Sequence, residues 1–159
     1  MRRIGVMSIY EQIQAHIQRA MKSRDNTRLN TLRLAKGAIV LKEKEKGRTE
    51  AITDQEIVGV LRSEIRQRKQ GIETYDELGK TEEVHALQAE IAVLEEFLPD
   101  QLSAAEIESR IRSYLSDHPE INHAGRLTGA LKKELGDAVD GSELHALCSR
   151  ILAEESQTT

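Results

Sequence analysis

The residues best suited to chemistry lie late in the chain. Gly125 and Gly129 stand four apart, a helical repeat, with Arg126, Lys132 and Lys133 around them. A glycine in a helix interior costs about 1 kcal/mol relative to alanine, so the pair needs a compensating purpose. Two purposes fit. One is close approach of another helix. The other is close approach of a nucleic-acid backbone to exposed amides near a helix N-terminus, where the macrodipole favours phosphate. Arg126, Lys132 and Lys133 then add salt-dependent affinity with no sequence preference. Helix packing beside a solvated lysine pair is the plainer alternative, and both readings stand at this point.

Other chemistries lack their residues. The stretch from Gly125 to Lys133 has no glycine-lysine-hydroxyl triplet to cradle phosphates and hold magnesium. A dinucleotide fingerprint needs a strand before its glycines. The five histidines, at 16, 85, 118, 123 and 145, are scattered, and His145 with Cys148 on one helical face falls short of a metal-ligand set. Cys148 has Leu144, Leu147, Ile151 and Leu152 nearby, which makes it a small core residue rather than a nucleophile. The expectation is no catalytic residue, no metal and no cofactor.

The elements that must position these residues are helices. Ala, Glu, Lys, Leu and Arg make up 75 of the 159 residues, and the aromatic residues are three Tyr and one Phe. That composition marks helical chains and argues against a sandwich or barrel. Ser8 with Glu11, Thr53 with Glu56, Ser103 with Glu106 and Asp140 with Glu143 read as capping boxes, each ahead of an apolar series at helical spacing. Further helices are expected over 26–46, between Asp25 and Gly47; over 82–98, between Thr81 and Pro99; and over 124–135, stopped by Gly136. No segment alternates with period two. The predicted fold is therefore all-α: a four-helix hairpin or bundle over residues 8–98, then a small three-helix tail over 103–153. Residues 1–6 and 155–159 lack periodicity and are expected to be loose, with the true start expected at Met7, directly ahead of the first capping box.

Charge is unevenly distributed. The net charge is −4, yet residues 19–69 carry 14 basic and 7 acidic groups, whereas residues 70–98 carry one basic and 8 acidic. The third and fourth helices should form an antiparallel hairpin, the fourth presenting the 3-4-3-4 stripe Val84, Leu87, Ile91, Leu94 and Leu98. On the second helix Leu32, Leu34, Ala35, Ala38, Ile39 and Leu41 fill about half the circumference, which predicts burial between two neighbours. Arg33, Lys36, Glu43 and Lys44 take the remaining arc. Arg62, Arg66 and Lys69 line one edge of the third helix's apolar arc, while Arg68 falls inside it, where a carboxylate such as Glu90 or Glu95 should meet it. The single cysteine cannot form an internal disulfide, and no stretch approaches the ~20 apolar residues that span a bilayer. A cytoplasmic protein away from membranes is expected.

Several strings resemble a known family in order and spacing. They are TLRLAKGAI at 31–39, EIRQRKQGIETY at 64–75, LGK at 78–80, EIAVLEEFLPDQLS at 90–103 and GRLTGALKKELG at 125–136, followed by an Asp-Gly pair and a Leu-rich helix. On them the chain, over about residues 8–153, resembles the GatB/YqeY family. The resemblance implies a freestanding helical relative of the C-terminal domain of GatB, a component of the tRNA-dependent amidotransferase, which converts misacylated tRNA with glutamine as ammonia donor. It further implies that the tail touches tRNA, through Gly125, Arg126, Gly129, Lys132 and Lys133; Arg33, Arg62, Arg66 and Lys69 on the basic helices are candidate added contacts from their charge, not from the resemblance. The family label of carbon–nitrogen ligase would be inherited, since phosphorylation and ammonia release occur elsewhere in that enzyme. One departure stands out: Asp137 follows Gly136 where the family pattern often has a base, and its charge opposes phosphate there. Two functions follow as expectations: a noncatalytic accessory that binds tRNA or amidotransferase subunits, or a protein–protein adaptor without nucleic acid, in which the second helix receives a partner helix.

Overall fold

A computed structural model describes residues 7–45 and 47–158. They form seven α-helices: α1 (Ile9–Ser23), α2 (Asn26–Glu43), α3 (Asp54–Glu77), α4 (Thr81–Glu95), α5 (Ala104–Asp117), α6 (Ala124–Leu135) and α7 (Gly141–Gln157), with a 3₁₀ turn at Gly136–Ala138 and no strand among the described residues. The chain divides into two compact units, Met1–Leu98 and Pro99–Thr159. No helix among the described residues is long and apolar enough to cross a membrane.

Caps start the helices. Thr53 and Ser103 each accept from the backbone amide three residues on, and Glu56 and Glu106 reach back to complete both boxes. Ser8 and Asp25 accept from the amides of Glu11 and Arg28. Asp140 holds the N-cap position of α7, but its side chain makes no cap hydrogen bond there. Thr81 is the first residue of α4 rather than its cap.

In the first unit Ile13, Leu32, Ala35, Ile39, Leu61 and Leu94 are wholly inaccessible to solvent and form the centre of one core. Helices α3 and α4 pack most extensively, and their short connection turns at Gly79, whose φ of +69° suits glycine. Their register is antiparallel. Arg68 meets Glu90, and three residues on a Cβ at Gly71 would come within 2.9 Å of Leu87 Cδ1, three residues back on α4. The second unit has its own core, centred on Ile111, Leu127, Leu144, Cys148 and Ile151.

Four further expectations need correction. Helix α2 ends at Glu43 rather than 46, and Lys46 itself lies outside the described residues. Its apolar arc is not buried throughout: Thr31, Leu32, Ala35 and Ile39 face the core, while Leu34 and Leu41 are 60 % and 73 % exposed. A helical wheel counts apolar residues without knowing whether a neighbour covers them. Helix α4 stops at Glu95 because Pro99 disfavours helical backbone at Leu98; the chain tightens through i−3 bonds from Phe97 and Leu98, and Phe97 enters the core. Helix α7 runs on to Gln157 through residues expected to be loose. The expectation for residues 1–6, and for Thr159, lies outside the described residues.

The chain between α2 and α3 is pinned by Arg48, which donates to Glu56 Oε1 at 2.9 Å and Oε2 at 2.5 Å and to the carbonyls of Glu50 and Ala51. The Arg48 guanidinium, with the Thr53 amide, holds the Glu56 carboxyl down at about 2, below its ordinary 4.5. A depressed folded pKa supports the native state above the unfolded value and loses that support as pH falls towards 2. Carboxyl-carbon NMR should therefore show Glu56 titrating near 2, and Arg48→Met should return it towards 4.5. Titration at the ordinary value in the unmodified chain would show that the clamp does not form.

Candidate nucleic-acid interface

Helix α6 is anchored by Leu127 and Leu131, both fully buried against the core that α7 completes with Leu144, Cys148 and Ile151. Its two anchors leave the opposite face to solvent. At about 100° per residue, Gly125, Arg126, Gly129, Lys132 and Lys133 fall within an arc of roughly 120° on that face. Gly125, Arg126, Gly129 and Lys133 are exposed. A Cβ at Gly129 would meet nothing within 4 Å, so no helix of this unit packs on it; one at Gly125 would meet only the His123 ring, at 3.0 Å. The packing explanation of the glycine pair thus has no partner within the second unit. What the face offers is bare backbone between two cations.

Lys132 does something else. Its ammonium donates at 2.7 Å to the carbonyls of Gly136 and Val139, closing the end of α6 over the 3₁₀ turn. A cation suits this place, because the last carbonyls of a helix carry partial negative charge. Gly136, at φ +56° and ψ −130°, makes the bend. The turn is held from its other side by Gln101 Nε2, which donates to the Asp137 carbonyl at 2.8 Å, and by the Leu102 amide, which donates to the Ala138 carbonyl at 2.9 Å. Asp137 is half-buried in this turn.

Beside the glycine face, Thr128 donates to the Ala124 carbonyl at 2.6 Å and lies 3.3 Å from His145 Nδ1. Cys148 is fully buried, and burial pushes its thiol up, with a hydrogen bond involving Thr128 opposing the shift in part. A buried thiol held protonated is a poor nucleophile.

In the first unit the basic candidates separate. Arg62, Arg66 and Lys69 follow one another at i, i+4 and i+7 along one edge of α3, with Arg66 and Lys69 exposed and Arg62 half-exposed. Arg33 stands on the other side, at a groove of about 880 Å³ between α2, α3 and α4 whose lining includes Leu34, Leu41, Gly71, Tyr75 and Leu87. Arg68, only 9 % exposed, forms the polar end of that groove. Its guanidinium donates to Glu64 Oε2 at 2.9 Å and to the Glu64 carbonyl at 3.0 Å, and its Nε lies 3.6 Å from Glu90 Oε2 without a hydrogen bond. Of the two carboxylates named from the sequence Glu90 is found, whereas Glu64 was missed, though its i, i+4 spacing to Arg68 was visible. The clamp made by Lys132 was missed as well, and a lysine four residues before a helix-ending glycine was its signal.

The profile of the Yqey-like protein family matches residues 10–152. The search of curated proteins finds no match.

Removing the Lys132 ammonium leaves two carbonyls without their charged donor. Lys132→Ala should cost about 1.5–2 kcal/mol, the low end for hydrogen bonds to a charged group, because the site is half-exposed. Amide exchange at Leu102, bonded to the same turn, should quicken. Unchanged exchange there would show that the lysine does not hold the turn.

Proposed function

The chain belongs to the Yqey-like protein family, whose domain is related to the C-terminal region of GatB, and from that premise we propose that it is a noncatalytic accessory that binds tRNA through the exposed face of α6. The carrying observation is Gly129: an exposed helix-interior glycine with open space above it, flanked by Arg126 and Lys133. A phosphate backbone can approach such a surface closely, and the two cations add attraction that positions RNA without reading sequence. Lys132 contributes indirectly in this reading, by fixing the turn beside the face, and the half-buried Asp137 keeps RNA away from the turn itself. The row Arg62, Arg66 and Lys69 extends the positive surface of the first unit. Any carbon–nitrogen ligase activity of a larger assembly resides in other chains. A second reading, an adaptor that binds protein, draws on the exposed Leu34 and Leu41.

Gly129→Ala separates binding from folding. Alanine should stabilise α6 by about 1 kcal/mol, read as slower amide exchange in that helix, while placing a methyl where the backbone must approach, so tRNA affinity should fall. Arg126→Ala with Lys133→Ala should weaken tRNA binding and make the dependence of log K on log salt shallower by roughly 1–2. Affinity unmoved by all three substitutions would exclude this face. Glutaminase and transamidation assays on the purified chain with misacylated tRNA should read zero; turnover would overturn the noncatalytic assignment.

A further inference from the structure

We infer that His145 is the residue that lets the α6 face tell RNA from DNA, by accepting a hydrogen bond from a ribose 2′-hydroxyl at its Nε2. The inference rests on RNA binding by that face and adds to it a side chain from α7.

Hydrogen-bond arithmetic fixes the imidazole. The Thr128 hydroxyl has one proton and two lone pairs. It stands 2.6 Å from the Ala124 carbonyl oxygen, and two acceptors come that close only with a proton between them, so the hydroxyl proton is committed there. The 3.3 Å contact between Thr128 Oγ1 and His145 Nδ1 then has one workable direction: Nδ1–H donates and Oγ1 accepts. With the proton on Nδ1, the neutral ring carries its bare lone pair on Nε2. His145 is exposed, and its Nε2 has no hydrogen-bond partner among the described residues.

Position gives that lone pair a use. On the wheel of α6, Arg126 and Lys133 lie about 60° and 40° to one side of Gly129, and Thr128 lies about 100° to the other. Helix α7 reaches Thr128 through His145, so the imidazole flanks the open glycine surface opposite the two cations. A sugar–phosphate strand laid over Gly129 with its phosphates towards Arg126 and Lys133 has its sugar edge towards His145. Phosphate oxygens only accept, so a bare Nε2 offers them nothing. A 2′-hydroxyl can donate, and DNA has none. The cations attract either nucleic acid, whereas His145 adds a contact that ribose alone can complete.

The test uses the full chain, a tRNA transcript and a DNA oligonucleotide of the same sequence, with affinities from fluorescence anisotropy at one fixed salt concentration. The tRNA should bind more tightly than the DNA. His145→Phe, which keeps a ring and loses the acceptor, should lower tRNA affinity roughly three- to tenfold, the worth of one neutral hydrogen bond, and leave DNA affinity unchanged. His145→Gln supplies a carbonyl oxygen and should recover part of the preference for RNA, while His145→Lys should recover none of it. Thr128→Val removes the group that holds the tautomer. Long-range nitrogen NMR should show Nδ1–H in the unmodified chain and loss of that tautomer's dominance in the variant, with unchanged circular dichroism and a reduced preference for RNA. Arg126→Ala with Lys133→Ala should weaken RNA and DNA by the same factor. Failure of the α6 reading shows in that pair, whereas an unchanged RNA-to-DNA ratio in His145→Phe, with the cation effects intact, overturns this inference alone. So does a proton on Nε2 in the unmodified chain. Equal loss of RNA and DNA in His145→Phe assigns the ring to a base, and recovery by lysine but not glutamine assigns it to phosphate; either overturns the proposal. Binding of neither nucleic acid overturns both readings.

Discussion

A guanidinium can sit inside a helical hairpin only if carboxylates come with it, because leaving such a charge buried and alone costs several kcal/mol. Arg68 imposes that condition on the first unit. Glu64 is supplied by the same helix one turn earlier, but Glu90 must come from α4, and it can do so in one antiparallel register. In the same register, close to one turn along, Gly71 leaves room for Leu87. Charge and close packing thus specify the same alignment. A slip of α4 by one turn would separate Glu90 from Arg68 and press another side chain on Gly71. Helix α2 rests on the pair so fixed, tied at its first turn by the bidentate Arg28–Glu96 contact, and the groove is the space its outer face leaves.

The second unit is organised differently. Its ion pairs are on the surface: Arg112 and Arg150 share Glu108 and Glu154 between α5 and α7, all four at least a third exposed, where such pairs contribute little individually. Alignment there comes from leucine and isoleucine packing and from the Lys132 clamp at the end of α6. That clamp explains how a glycine-containing helix of 12 residues ends cleanly beside a glycine bend. Its consequence for the exposed face is rigidity: Arg126 and Lys133 project from a helix whose end is tied on both sides of its closing turn.

The helical class and most helix starts were legible because they depend on neighbours in sequence. Thr53 with Glu56 and Ser103 with Glu106 close their boxes within four residues, so nothing distant can override them. Helix ends were less legible, since Pro99 acts backwards on Leu98 and tightens a turn that the apolar stripe alone reads as helix. Burial was least legible. Leu34 and Leu41 belong to the same apolar arc as Leu32 and Ile39, and only the position of the neighbouring helices separates exposed from covered. For the candidate site the pattern of glycines and cations was plain in the sequence. The diversion of Lys132 towards Gly136 and Val139 was not, because a side chain's choice between solvent and its own backbone depends on where a turn folds back.

Among the described residues the two apolar interiors have none in common. Cooperative melting of a whole chain relies on a shared interior through which loss of one part undermines the rest. Each core is confined to its own unit, so a single transition temperature would report whichever interior yields first. One half could fray in heat or denaturant while the other keeps its native surface, and a cell could retain half of the molecule's contacts after losing the other half.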